Sequence, residues 1–192
     1  MNLFVLNKIV VKPREFVDFW SGFYDDPLEG YYVPVIGKKR FSDEDLVKLF
    51  EWKNGSKLAQ KKKKVLGSMI ANLGKINALK ASFCLDTFLE EFKFIKGAIW
   101  KIFLLHVIQP DKFPIFDQHV YRAYLFISKH QRAEIPNNNK RKEAAYFSEY
   151  VSFFNGLSVN GISKKKLDEA LWAYGKFLKT PYGRKVWKSW DT

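Results

Sequence analysis

The sequence predicts an all-α protein. Apolar residues recur at three- and four-residue spacing through most of the chain, and no alternating apolar–polar run extends beyond a few residues. Pro, Gly and Asn interrupt the pattern where helices would end. The chain has 192 residues, 47% of them hydrophobic. That is enough for a sizeable core and excludes wholesale disorder. The length suits a single domain spanning 1–192, or two small lobes sharing one core.

The elements follow in order. Leu3–Val11 is the one stretch that reads as a short strand. Pro13–Tyr24 is a helix: Pro suits the first turn, and Phe16, Phe19, Trp20 and Phe23 fall at helical spacing. Asp26–Gly37, rich in Gly, Pro and Tyr, reads as a loop. Ser42 and Asp45 form a capping box that opens a helix with Leu46, Leu49 and Phe50 on one face. Asn54-Gly55 ends it with a left-handed cap. Ser56 to about Leu73 is a basic helix containing Lys61, Lys62, Lys63 and Lys64, whose side chains span all sides, so at least two face solvent. A solvated face and phosphate contact both remain open for them. Asp86 caps a short helix to Phe94.

Ala98–Ile108 is apolar on nearly every side, which predicts a helix buried at the centre of a fold. Two prolines, Pro110 and Pro114, break it. Helix resumes at Asp117 and runs to about Lys129. Pro136–Asn139 is a linker, followed by helices over Lys140–Phe154 and Ser163–Lys179, joined by Gly156–Gly161. Two alternatives stand for Arg184–Thr192, with Trp187 and Trp190: packing back on the body, or mobility.

Lys and Arg total 33 against 20 acids, a formal net charge of +13. Such a balance attracts polyanions, nucleic acid first and an anionic membrane surface second. No apolar stretch is long enough to span a bilayer. The residues Met1–Lys8 lack the features of a secretory leader, so a cytoplasmic, nucleoid-associated setting is expected. Cys84 is the single cysteine, which excludes an internal disulfide, a Cys-rich zinc site and an iron–sulfur cluster. Its neighbours Phe83 and Leu85 predict a buried structural thiol. With His106, His119 and His130 the only histidines, no metal site and no cofactor are expected. The 18 Phe, 9 Tyr and 6 Trp fill the core for the most part.

One constellation rises above composition: a buried apolar helix, a proline loop, then Phe116-Asp117-Gln118-His119-Val120-Tyr121-Arg122 opening the next helix. Over Lys96–Leu125 this resembles the helix-hairpin-helix DNA glycosylase superfamily, whose motif carries an apolar residue, Asp, His, an apolar residue and Arg in the places of Phe116, Asp117, His119, Val120 and Arg122. The resemblance implies two helical lobes with a cleft between them, the hairpin and catalytic region at about 86–130, and Asp117 at the mouth of the cleft. It departs in two places. The hairpin turn has one glycine, Gly97, in Phe94-Ile95-Lys96-Gly97-Ala98. The lyase lysine of some members has no match in register, since Lys96 and Lys101 lie 21 and 16 residues ahead of Asp117.

The chemistry suits these residues. Removing a base from its sugar develops positive charge on the ring, and a carboxylate beside it stabilises that charge and orients water. The start of a helix fixes the Asp backbone and favours its ionised form. Asp117 is therefore the expected catalytic carboxylate of a monofunctional glycosylase that uses water. Lys96 or Lys101 is the expected lyase amine if either reaches the cleft. The target base must leave the stack, so Trp100, Phe116, Trp52, Tyr31 and Tyr32 are the expected pocket. Lys96, Gly97, Lys101, His119, Arg122 and Lys61–Lys64 are the expected DNA contacts. The expected partner is duplex DNA carrying a modified or damaged base, in repair or in antiviral defence against modified phage DNA, with the protein a monomer. The alternative is a non-catalytic helix-hairpin-helix DNA-binding module.

Overall fold

A computed structural model describes residues 12–131, 133–157 and 160–188. They are all-helical, with no strand among the described residues. The expectations for Leu3–Val11 and for the tail beyond Lys188 lie outside them. The chain divides into two compact units: residues up to Tyr24 together with those from Pro114 onward, and Asp25–Phe113.

The second of these contains α2 (Glu29–Ile36), α3 (Asp43–Asn54), α4 (Gln60–Ile70), α5 (Leu73–Ala81), α6 (Leu85–Glu91) and α7 (Ala98–Ile108). The stretch expected to be a loop contains α2, with Pro34 inside it. Pro34 removes one helical hydrogen bond, but burial of Tyr32 and Val35 holds the segment helical. The α3 cap forms as expected: the Asp45 N–H donates to Ser42 Oγ at 3.2 Å, and the Ser42 N–H donates to Asp45 Oδ2 at 2.9 Å. Gly55 ends α3 at φ 71°, the left-handed region that glycine enters without steric cost. The basic helix is shorter than expected, and a separate helix, α5, follows it. Its Lys80 ammonium donates to the carbonyls of Ile36 at 3.3 Å and Val107 at 3.2 Å, which closes the last turns of α2 and α7. The N-cap of α6 is Cys84, with Asp86 inside the first turn. Cys84 is exposed, which corrects the buried thiol: the extended residue before α6 turns Sγ outward, while Phe88 and Phe92 of the same segment are buried.

In α7 every residue from Ile102 to Ile108 is buried, including His106. His106 Nδ1 lies 2.8 Å from the Phe113 carbonyl and Nε2 lies 2.7 Å from the Tyr32 hydroxyl. A carbonyl only accepts, so Nδ1 carries a proton and donates to Phe113.

The other unit contains α1 (Pro13–Ser21), α8 (Gln118–Lys129), α9 (Asn139–Ala145), a π-helical turn (Tyr146–Tyr150), α10 (Val151–Gly156), α11 (Lys164–Leu178) and α12 (Pro181–Lys188). The single helix expected over Lys140–Phe154 is thus interrupted by a π turn. α11 packs against both α8 and α1. On the α1 side the seam is aromatic: Trp20 lies 4.9 Å from Tyr174 and 5.1 Å from Phe177, and Phe16 lies 5.3 Å from Tyr174. Phe19 and Phe23 stay exposed, because α1 stops at Ser21 and its inner face is filled by Phe16, Val17 and Trp20. On the α8 side the backbones themselves meet. A Cβ on Gly175 would lie 1.9 Å from the His119 carbonyl oxygen, so no larger residue fits at that crossing.

This crossing sets a prediction of unusual sign. Helix propensity alone favours Ala over Gly by about 1 kcal/mol. Gly175→Ala should instead destabilise the fold by about 3 kcal/mol, because the helices must part. Urea denaturation checks it, and a variant as stable as the parent would show that the helices do not approach this closely.

Candidate active site

Asp117 is the N-cap of α8. Its Oδ1 accepts the His119 N–H at 2.8 Å and the Val120 N–H at 3.2 Å. The residue is half-buried, so it is neither sealed in the core nor swung freely in solvent. Two amides of the first turn hold one carboxylate oxygen, and the helix N-terminus favours its negative charge.

Behind it sits a block of aromatic rings. Phe116 is 1% exposed. Its ring lies 5.7 Å from Tyr121, 5.2 Å from Tyr146 and 5.1 Å from Tyr150. The Tyr146 hydroxyl donates to the Pro114 carbonyl at 2.9 Å, in a fully buried bond. The chain entering α8 is therefore gripped at Pro114, at Phe116 and at the cap itself.

His119 is also half-buried, and its Nδ1 is enclosed with no hydrogen-bond partner among the described residues. Burial pushes its pKa below the ordinary value. Asp117 acts in the opposite sense, and Arg122, Lys176 and Lys179 reinforce the lowering. The imidazole is therefore neutral at pH 7. Its ring lies 5.2 Å from Trp172 of α11. Trp172 in turn lies 5.4 Å from Tyr24, with the Lys176 ammonium 4.6 Å from the Trp172 centroid and the Lys165 ammonium 4.4 Å from that of Tyr24. An aromatic and cationic surface thus adjoins the start of α8. Of its members, sequence reasoning named only His119. The available signal was Trp172 and Lys176, one helical turn apart on the same face.

Arg122 corrects the expectation of a DNA contact. It is 2% exposed. Its Nη1 donates to the Gly175 carbonyl at 2.8 Å and its Nη2 to Glu134 Oε2 at 2.7 Å. The guanidinium clamps α8 to α11 and cannot face a phosphate.

Apart from Phe116, the remaining expected residues belong to the other unit. Tyr32, 4% exposed, and Trp52, 6% exposed, are core residues and not pocket walls. Their polar tips are used internally, the Tyr32 hydroxyl on His106 and Trp52 Nε1 on Glu29 at 3.1 Å. Phe116, buried as described, is likewise not a pocket wall. Trp100 is half-buried, 4.9 Å from Phe50, with the Lys62 ammonium 6.0 Å from its ring centroid. Tyr31 is exposed, as are Lys61–Lys64 and Lys96, and Lys101 is half-buried. Gly97 is the N-cap of α7 at φ −86°, with open space where a Cβ would sit. The backbone there does not require glycine.

Among the described residues no group of three or more His, Cys, Asp or Glu side chains could hold a metal ion. No described helix is long and apolar enough to cross a membrane. Compared with protein-family models, with curated proteins and with solved structures, the chain matches none of them.

The His119 environment has a pH signature. Its folded pKa lies below the unfolded value of about 6.5, so protons bind the unfolded chain more readily. The neutral ring's contribution is fully present above that value and is lost as pH falls below it. Denaturation midpoints of the parent should fall more steeply from pH 7 to pH 5 than those of His119→Gln. Equal slopes would place the ring in water.

Proposed function

We propose that this protein is a DNA N-glycosylase that hydrolyses the bond between a modified base and its sugar and leaves an abasic site, with Asp117 as the catalytic carboxylate. The observation that carries this reading is the Asp117 cap: a half-buried carboxylate held by two amides at 2.8 and 3.2 Å, next to an aromatic and cationic surface. The resemblance of Phe116–Arg122 to the helix-hairpin-helix glycosylases supports the same assignment, as does the net charge of +13.

The chemistry follows from the parts. An extruded nucleotide brings its C1′ beside the carboxylate. As the C–N bond stretches, the sugar becomes cationic, and the fixed negative charge of Asp117 stabilises it without reorganising. The base leaves with the electron pair of the broken C–N bond and takes a proton from solvent, while water forms the new C1′–O bond and passes its proton to the carboxylate or to solvent. Neutral His119 offers a hydrogen-bonding group next to the anion without cancelling its charge, as an imidazolium would. Trp172 and Tyr24 supply ring faces and Lys165 and Lys176 supply cations, the combination that binds unstacked bases and their phosphates. Because Arg122 is committed to Gly175 and Glu134, backbone contacts near the site rest on the lysines.

Two outcomes are expected. Asp117→Asn should keep duplex binding within about twofold and lose base release by at least about a hundredfold. The assay is alkali-induced strand breakage on duplexes carrying a panel of modified bases and on naturally modified phage DNA. An Asn variant that releases base at the parental rate would leave the binding module as the better reading. Lys176→Glu should weaken DNA binding and reduce the slope of log K against log salt by about one. An unchanged slope would remove Lys176 from the interface.

A further inference from the structure

The π turn of Tyr146–Tyr150 directs two tyrosines inward, and they differ in one respect. The Tyr146 hydroxyl donates to the Pro114 carbonyl. The Tyr150 hydroxyl is completely enclosed and has no hydrogen-bond partner among the described residues. Its ring is packed on all sides, 5.1 Å from Phe116, 5.9 Å from Tyr124 and 6.1 Å from Phe154. Phenylalanine would fill the same volume and would not bury an unsatisfied hydroxyl, which costs about 1–3 kcal/mol. A polar atom kept at that cost calls for an explanation, and π turns occur frequently at functional sites.

The surroundings of the hydroxyl supply one. Two carboxylates and a phenol act on it: Asp168 on α11, Asp117 at the start of α8 and Tyr146 on its own turn. Tyr124 contacts its ring from α8. Asp168 is itself buried. Burial first, and then both carboxylates, push the phenol far above its ordinary pKa, so it stays protonated and can only serve the anions as a donor. His119 Nδ1, two residues beyond Asp117, is likewise enclosed without a partner among the described residues. Buried waters commonly satisfy enclosed polar atoms of this kind.

We propose that Tyr150 is a positioning residue for Asp117, its hydroxyl donating from the interior side, through one enclosed water, toward the Asp117 carboxylate, with Asp168 as the second anion served by the same donor. The donor faces the anions and helps Asp117 remain ionised while the sugar becomes cationic. The proposal rests on the glycosylase reading for its catalytic consequence, but not for its electrostatic one.

The test is Tyr150→Phe, which removes one oxygen and leaves the ring packing in place, with Asp168→Asn as the second variant. The parent and both variants are followed by carboxyl-carbon NMR titration of Asp117, by thermal denaturation, by duplex affinity and by the pH profile of single-turnover base release. For Tyr150→Phe the melting temperature should be unchanged or higher and duplex affinity should stay within about twofold. The Asp117 titration midpoint should rise by about half a unit to one unit, because a donor to the charged form is lost. The acid limb of base release should move up in pH by the same amount, with the plateau rate lower by about tenfold. Asp168→Asn removes a like charge and should move the midpoint the opposite way. An unchanged midpoint in Tyr150→Phe overturns the proposal. A shifted midpoint in a protein that releases no base from any substrate would sustain the positioning role and overturn the glycosylase reading instead.

Discussion

The crossing of α8 and α11 depends on an absent side chain. At Gly175 the helices approach until the His119 carbonyl occupies the space a Cβ would take. That proximity brings Arg122 within 2.8 Å of the Gly175 carbonyl, and the guanidinium then spans to Glu134. A buried cation of this kind is tolerated only when its donors are used. Here a main-chain oxygen and a carboxylate use them. The close approach and the clamp fix the first two turns of α8 against α11, and the position of Asp117 follows from that.

The other side of the Asp117 cap is held by aromatic packing. Pro114 and Phe116 are gripped by Tyr146 and Tyr150, which a single π turn brings into the same interior. Asp117 is therefore backed by a block of aromatic rings, while the residue itself lies half-buried at the boundary with solvent. A carboxylate in that position combines fixed orientation with access to an approaching ligand, which is what stabilising a developing cation requires. Neutral His119 and the Trp172 surface continue the same boundary along α11.

The Asp25–Phe113 unit is organised differently. Its centre is α7, buried along most of its length, and its polar groups are settled internally: His106 between Tyr32 and Phe113, Asn77 against both main-chain groups of Phe41, and Lys80 on two helix ends. Tyr32 and Trp52 spend their polar tips on such bonds. That is why Tyr32 and Trp52 are structural. Its outward cations, Lys61–Lys64 and Lys96, remain on exposed surface.

Local signals determined several of the helices and their ends. The Ser42–Asp45 box, the Gly55 stop, the Asp117 cap and the extent of Ala98–Ile108 could all be read from the sequence, because each rests on interactions within about four residues. The Asp117 motif was legible for the same reason. Tertiary structure alone decided what lies far apart in sequence: that Arg122 answers to Gly175, 53 residues away, that Phe116, Tyr32 and Trp52 are core, that Cys84 is exposed, and that Trp172 and Lys176 adjoin His119. It also overrode local composition at α2, where burial of Tyr32 and Val35 outweighs Gly30 and Pro34. A residue type states which contacts are favourable. Only the packing of distant helices decides which of them are made and which side chains are left facing a ligand.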